Sequence, residues 1–283
     1  MRYGLSMASA GAYGDARTLG ELAHLAEESG WDGVFLEDYI IHWGEDHNTY
    51  DPWIALAAMA LRTERITLGI TVTPLSRRRP WKLAREALTL DHLSNGRFVL
   101  GVGIGNGGDT DFVGFGEVTE TKQRAGMVDE ALDVIAGLWS GEPFSYQGAH
   151  YQIRDVTFLP KPVQQPRIPI WIGGGYPLKG PLERAARWDG ACLYKFTGNG
   201  PWQDMTPDDI RDLRAFVEER RGAGTPFEIT VGGRERSEDW EQDRAHIAAV
   251  AEAGATWWGE HLPPGELDVM RAAIARGPLR PNS

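Results

Sequence analysis

Short apolar runs alternate with amphipathic segments along most of the chain. After a run at 3–7, Leu22, Leu25, Ala26 and Ser29 fall on one helical face, which makes one strand–helix unit. The pairing recurs until 274, so we predict eight strands and eight helices in alternation. The predicted strands are 3–7, 33–37, 66–73, 97–104, 170–172, 191–194, 227–231 and 255–258. The predicted helices are 22–29, 52–61, 81–93, 128–139, 182–187, 207–220, 246–253 and 267–274.

This alternation is typical of a parallel sheet, either a closed (βα)8 barrel or an open doubly wound sheet. The dinucleotide-binding open sheet carries a G-x-G-x-x-G fingerprint after its first strand, and it is missing here. We therefore predict an α/β fold, a (βα)8 TIM barrel that forms one domain over 1–283. The pattern breaks between about 140 and 169, where we predict a small insertion between barrel strands 4 and 5. It holds a hairpin, at 144–146 and 150–153, laid over the barrel.

The composition narrows the class of protein. A net charge of -11 disfavours nucleic acid as a partner. The single cysteine, Cys192, excludes an intrachain disulfide and a cysteine-based zinc site. No apolar leader is visible and the best apolar stretch, 53–61, is too short to span a membrane, so we expect a cytoplasmic protein.

Active sites of such barrels lie at the carboxyl ends of the strands. The chemically richest of these ends is 37–47, whose acidic, imidazole and aromatic groups can orient a ligand or move a proton. We expect Asp38 to be functional, whereas Glu45, Asp46 and His47 are more typical of a solvated loop. A metal site is the weaker alternative because strand 1 ends without a histidine pair, although this run offers four ligand types: Glu37, Asp38, His42 and His47.

Three successive strand ends are nearly bare backbone, at 69–74, 101–108 and 172–175. Glycine there allows a flat ring or a phosphate to approach closely, and the triple glycine at 173–175 resembles an anion cradle. Gly232, Gly233 and Arg234 form a second possible phosphate site.

Several basic and aromatic residues at strand ends remain open to two interpretations. Lys195 follows strand 6, where a desolvated lysine is a Schiff-base nucleophile, but a surface lysine or a phosphate contact explains it as well. Arginines at 77–79 either meet an anionic ligand or form the solvated start of the next helix. Trp43 and Trp202 are candidates to line the barrel mouth.

Four segments together carry a family resemblance. They are Gly-Trp-Asp-Gly-Val-Phe at 30–35, Glu-Arg-Ile-Thr-Leu-Gly at 64–69, Leu-Asp-His-Leu-Ser-Asn-Gly-Arg-Phe at 90–98 and Gly-Val-Gly-Ile-Gly at 101–105. With the strand-5 glycines, the chain resembles the bacterial luciferase-like oxidoreductases, which use FMN or the deazaflavin coenzyme F420. The resemblance runs from residue 1 to about 259.

The resemblance implies a non-prolyl cis peptide bond at the end of strand 3, here Thr71–Val72, which buttresses the cofactor ring. It also implies a phosphate pocket at 173–175, with Asp38 against the deazaflavin ring and Thr73 offering a hydroxyl. The cofactor-binding residues that follow are Asp38, Thr71, Val72, Thr73, Gly103, Gly105, Asn106, Gly173, Gly174 and Gly175.

Two departures from the family pattern bear on the reaction. The F420-dependent sugar and alcohol dehydrogenases follow that aspartate with a histidine and carry a glutamate after the strand-4 glycines. This chain has Tyr39 and Asn106 there. Removal of hydride from an alcohol is therefore less expected than reduction of an unsaturated substrate or an oxygen-dependent reaction. The luciferase-type histidine is displaced, and His42 is the nearest candidate.

We therefore expect an oxidoreductase that uses F420 or FMN for hydride transfer to, or monooxygenation of, a small organic substrate, and Asp38 favours F420. Tyr39 or His42 would donate a proton, and Trp43 with the insertion would wall the substrate pocket, with Lys195 also on the substrate side. The alternatives are a Schiff-base lyase or aldolase acting through Lys195 and a non-catalytic flavin-binding protein. The resemblance also implies a homodimer.

Overall fold

The strands alternate with helices as predicted and close into a barrel. A computed structural model describes residues 1–42, 48–198 and 203–281. The strands within these ranges are β1 (Arg2–Met7), β2 (Gly33–Leu36), β3 (Thr67–Pro74), β4 (Phe98–Gly103), β5 (Phe144–Gln147), β6 (Gln152–Val156), β7 (Ile170–Tyr176), β8 (Gly190–Lys195), β9 (Glu228–Arg234) and β10 (Trp257–Leu262). The barrel order is β1-β10-β9-β8-β7-β4-β3-β2, and neighbouring barrel strands pair in parallel. The predicted α/β barrel is confirmed.

The helices begin earlier than hydrophobic periodicity predicts in several places. Those in the described ranges are α1 (Ala16–Glu28), α2 (Pro52–Arg62), α3 (Pro80–Leu93), α4 (Thr110–Val113), α5 (Thr121–Trp139), α6 (Lys179–Ala185), α7 (Pro207–Arg221), α8 (Trp240–Glu252) and α9 (Leu267–Ala275). The first turns of α1, α5 and α8 follow acidic N-caps, Asp15, Glu120 and Asp239, whose carboxylates accept backbone N–H groups. Capping rather than apolar burial stabilises these turns, so periodicity alone misses them. The short α4 was not predicted.

An aromatic plug fills the lower half of the barrel. Phe35, Trp171 and Trp257 pack with Val99 as a cluster separate from the main core, with ring centroids 5.4–5.7 Å apart. Glycines around it provide the space, because a Cβ there would approach the Phe35 ring to 2.7 Å, 2.8 Å and 2.7 Å, at Gly4, Gly33 and Gly69 respectively. Gly69 therefore accommodates a side chain of the protein, which corrects the expectation that it leaves backbone open to a ligand.

The insertion is a β5–β6 hairpin, as predicted, but it does not lie over the barrel. It packs along the outer face of α5, where the Glu130 carboxylate accepts the N–H groups of Ala149, His150 and Tyr151. The Phe144 ring covers a glycine of the same helix. Because these contacts belong to the outer helical layer, they do not support the insertion as a wall of the substrate pocket. Among the helices of the described ranges, none has the length and apolar character to cross a membrane.

Candidate active site

Asp38, directly after β2, lies at the centre of a buried hydrogen-bond network. Its carboxylate is 1% exposed and receives Arg78 Nε and Nη2 at 2.8 Å each and Arg77 Nη2 at 3.2 Å. Trp53 Nε1 donates at 3.3 Å, and the Thr73 hydroxyl donates as well. Burial by itself would raise the pKa of Asp38, but the guanidinium of Arg78, the Thr73 hydroxyl and the charge of Arg77 lower it below its ordinary value. Asp38 is therefore an ionised carboxylate whose oxygens are already engaged.

Arg77 extends this network to a second acid, Asp111 of α4. Arg77 Nη1 donates to Asp111 at 2.6 Å, and both side chains are at most 4% exposed. The same carboxylate accepts the backbone N–H groups of Ile40 at 2.9 Å and Ile41 at 2.8 Å. The loop after β2 is thus fastened to α4 and to the loop after β3. This is a correction for Arg77, which is not a solvated helix start, and Asp111 is a residue that sequence reasoning missed.

Tyr39 and His42 form an aromatic pair in the fastened loop. Their ring centroids lie 5.3 Å apart in an edge-on arrangement. The backbone N–H of His42 donates to Thr49 Oγ1 at 3.0 Å. His42 is buried and Tyr39 is half-buried. Trp43, the group at 45–47 and Trp202 lie outside the described residues, so their predicted roles stay predictions.

Glu37, next to Asp38, has a different environment. It is half-buried, its N–H donates to the Met7 carbonyl at 3.1 Å, and its Oε2 is buried without a hydrogen-bond partner among the described residues. Burial raises the pKa of this carboxyl to about 7. From the sequence, Glu37 was predicted only as a member of the 37–47 run and as a possible metal ligand, with no role of its own. The alternation from the inward Phe35 indicates that it faces the barrel lumen.

A bulge in β3 forms the other side of the mouth. The register with β4 shifts between Ile70 and Thr73, and the Thr71–Val72 peptide bond is cis, as the resemblance implied. A Cβ at Gly103 would lie 3.0 Å from a Val72 methyl, and one at Gly173 would lie 2.7 Å from the other. These two glycines therefore make room for Val72 at the mouth.

The remaining predicted cofactor glycines also have close protein neighbours. A Cβ at Gly105, where φ is +72°, would lie 2.4 Å from the ring of Phe112. At Gly174 it would lie 2.7 Å from Pro181, and at Gly175 it would lie 2.9 Å from a phenylalanine after β8. Packing alone requires glycine at these positions, and their contact with a cofactor stays a prediction.

Comparison with known proteins identifies the family. The profile described as luciferase-like monooxygenase matches residues 4–234. The chain belongs to this family. A relative named F420-dependent glucose-6-phosphate dehydrogenase, from Microbacterium testaceum, is 38% identical over 157 residues, which are 54% of this chain and 45% of the relative. The chain thus spans about half the length of the curated relatives it matches.

Two solved structures share the fold of this luciferase-like protein. The coenzyme F420-dependent tetrahydromethanopterin reductase of Methanopyrus kandleri has a TM-score of 0.73 and 17% identity, with 98% of each chain covered. The oxygenating constituent of 3,6-diketocamphane monooxygenase from Pseudomonas putida, solved with FMN, has a TM-score of 0.64 and 20% identity, covering 87% of this chain and 70% of that one.

Three polar side chains of the luciferase-like protein contact neighbouring aspartates. Lys195 Nζ donates to Asp209 Oδ2 at 2.8 Å, an ion pair that opposes its use as a Schiff-base nucleophile. Asn106 Nδ2 donates to Asp109 at 2.6 Å and closes a turn. Arg234 contacts two carboxylates, Asp204 at 3.3 Å and Asp243 at 3.4 Å, and this pairing weakens the case for a phosphate site after β9.

The mouth of the barrel fits a planar redox ring. By strand alternation, several lumen positions at and above the plug are small: Ser6, Thr71, Gly101, Gly173 and Cys192. Val72 presents an apolar surface there. Glu37 Oε2, which has no hydrogen-bond partner among the described residues, is available to a polar group of a bound ligand. A metal fits less well, because within the described ranges no three His, Cys or carboxylate groups converge at this end of the barrel.

Proposed function

We propose that this protein is an F420-dependent oxidoreductase that reduces an unsaturated bond of a small organic substrate. The observation that carries the proposal is the β3 bulge, in which Val72 packs over Gly103 and Gly173 and offers an apolar surface beside these two glycines. A flat ring buries its face well against such a surface.

Different residues of the chain would hold different parts of the cofactor. The deazaflavin supplies two-electron hydride chemistry when it is bound. Val72 supports its ring, and the backbone N–H groups at 173–175 are the candidates to hold its phosphate. Asp38 does not contact the ring as an acid. It fixes Arg77 and Arg78, and thereby the rim of the pocket, because its oxygens are occupied by their guanidinium groups.

The name of the 38% identical relative favours F420 over FMN. The FMN-containing fold neighbour keeps reduced FMN, with an oxygen-dependent reaction, as the second candidate. Reduction is favoured over alcohol oxidation because Tyr39 and Asn106 replace the dehydrogenase acid and base, and Asn106 is engaged in a turn. A cytoplasmic location and a homodimer belong to the same proposal. Sedimentation velocity tests the dimer.

An anaerobic fluorescence titration with F420 and FMN, each oxidised and reduced, tests the proposal. We expect micromolar binding of F420, and reoxidation of reduced F420 when conjugated enones are added. Val72→Asp should weaken binding at least tenfold, since it buries a charge against the ring. The control Val269→Asp, on the exposed face of α9, should bind normally. Binding of reduced FMN alone would favour the second candidate, and binding of neither cofactor would refute the proposal.

A further inference from the structure

Glu37 occupies a lumen-facing position one step above the aromatic plug. Phe35, two residues earlier, packs inside the barrel against Trp171 and Trp257. The N–H of Glu37 donates to the Met7 carbonyl at 3.1 Å and so continues the ladder between β2 and β1. The two-residue alternation therefore extends past the end of β2 and turns the Glu37 carboxyl towards the mouth.

The two adjacent carboxyl groups have opposite surroundings. Asp38 accepts hydrogen bonds from two arginines, a threonine and a tryptophan. Glu37 Oε2 is buried and has no such partner in the described part of the chain. A buried carboxyl oxygen without a donor favours the protonated acid, because the charged form loses its hydration without compensation. The protein therefore holds a carboxyl that favours its protonated form beside one that is ionised.

The titratable groups around Glu37 do not supply a compensating positive charge. Tyr13 follows β1, and its hydroxyl donates to the Leu262 carbonyl at 3.3 Å. Burial and the charge of Glu37 both raise the pKa of Tyr13. From β10, His261 lies level with Ser6 of β1, and burial lowers its pKa, so it is neutral at pH 7. The arginines of the mouth are already paired with Asp38 and Asp111.

We propose that Glu37 is the proton donor in the reduction, an inference that rests on the proposed function. The substrate's polarised C=C bond accepts a hydride, with its two electrons, from the reduced deazaflavin at one carbon. The π electrons move to the other carbon, which takes the proton as the O–H bond of Glu37 breaks. The products are the saturated substrate, the oxidised cofactor and a Glu37 carboxylate. Loss of the hydride also releases the ring N–H proton of the reduced deazaflavin to solvent, and Glu37 takes one proton up from solvent, so that overall one hydride and one proton pass from the cofactor to the substrate.

The ionisation of Glu37 suits this task. Burial raises its pKa to about 7, so both the protonated and the ionised forms are populated at neutral pH. A donor whose pKa lies near the working pH combines availability of the proton with the drive to release it. Tyr39 and His42, the donors expected from the sequence, pair with one another in the loop that follows Asp38.

Glu37→Gln tests the proposal, with Glu142→Gln, an exposed glutamate just before β5, as the matched control. Infrared titration of the cofactor-free protein should find a protonated carboxyl band with a midpoint near pH 7 in the wild type and the control but not in Glu37→Gln. Rates are compared at saturating F420, so that a change in cofactor affinity does not enter the comparison. Single-turnover enone reduction should slow by about 10²–10⁴ in Glu37→Gln. The wild-type rate should fall as the pH rises through 7, and the Glu37→Gln rate should not.

The outcomes separate this inference from the function on which it rests. If the wild type binds F420 and reduces enones but Glu37→Gln keeps the same rate and pH profile, Glu37 is not the donor. A band that persists in Glu37→Gln overturns the assignment as well. If the wild type binds no F420, the proposed function fails and takes the donor role with it, while the infrared titration still reports whether Glu37 holds a proton.

Discussion

Replacing Asp111 with alanine should destabilise the protein by about 3 kcal/mol, the low end of the range for breaking a buried ion pair. Asp111 accepts two backbone N–H groups, at 2.8 Å and 2.9 Å, and one Arg77 nitrogen at 2.6 Å. Each buried donor left without an acceptor costs about 1–3 kcal/mol. The low end applies because Arg77 keeps its second carboxylate, Asp38.

Asp133→Ala is the matched control because it differs mainly in burial. Asp133 pairs with Arg187 at 2.7 Å, but the two side chains are 42% and 51% exposed. Solvent screens this pair, so its loss should cost about 0.2–1 kcal/mol. Asp111→Asn, which retains one acceptor oxygen, should fall between the two alanine variants.

Urea unfolding followed by circular dichroism, extrapolated to zero denaturant, measures these differences. Melting temperatures provide a second readout, and the Asp111→Ala protein should melt roughly 6–12 °C below the wild type at about 2–4 °C per kcal/mol. Equal losses in Asp111→Ala and Asp133→Ala would refute the reasoning, because burial would then have no effect on the cost of removing an aspartate from an arginine.

Three further predictions concern other parts of the barrel. Gly173→Ala should lower the melting temperature, because the new methyl would lie 2.7 Å from Val72 in the bulge. The control Gly180→Ala, whose methyl would meet nothing within 4 Å, should gain up to about 1 kcal/mol of stability. The reverse order of stability would contradict this reasoning. Glu37 has a pKa raised to about 7 in the folded protein, so the stability of the wild type should fall relative to that of Glu37→Gln between pH 4.5 and 7. Urea titrations should show a relative loss of up to about 3 kcal/mol over this range. A difference that stays constant with pH would contradict the raised pKa. Borohydride with a panel of carbonyl compounds should leave Lys195 unmodified by mass spectrometry, since its Nζ is engaged by Asp209 Oδ2 at 2.8 Å; an adduct there would support the lyase alternative.

The β3 bulge and the loop after β2 show which parts of the candidate site can be predicted from local sequence patterns. The position of the bulge, Thr71–Val72, followed from a family motif read on a single segment. The hydrogen-bond network of Asp38 did not, because its four donor residues come from α2, the end of β3 and the loop that follows it. Asp111 carries no sequence signal at all. An aspartate at the start of a four-residue helix looks the same whether it is exposed or buried against an arginine 34 residues away.

The sequence by itself determined the order of strands and helices, the closed barrel and the family, because periodicity and short motifs depend on residues close together in the chain. Only the tertiary structure separated Glu37 from Asp38. Both are acids at the end of the same strand, but one finds two arginines and the other finds none among the described residues. Solvation and charge pairing depend on distances across the fold, so they lower the pKa of one carboxyl and raise the pKa of the other.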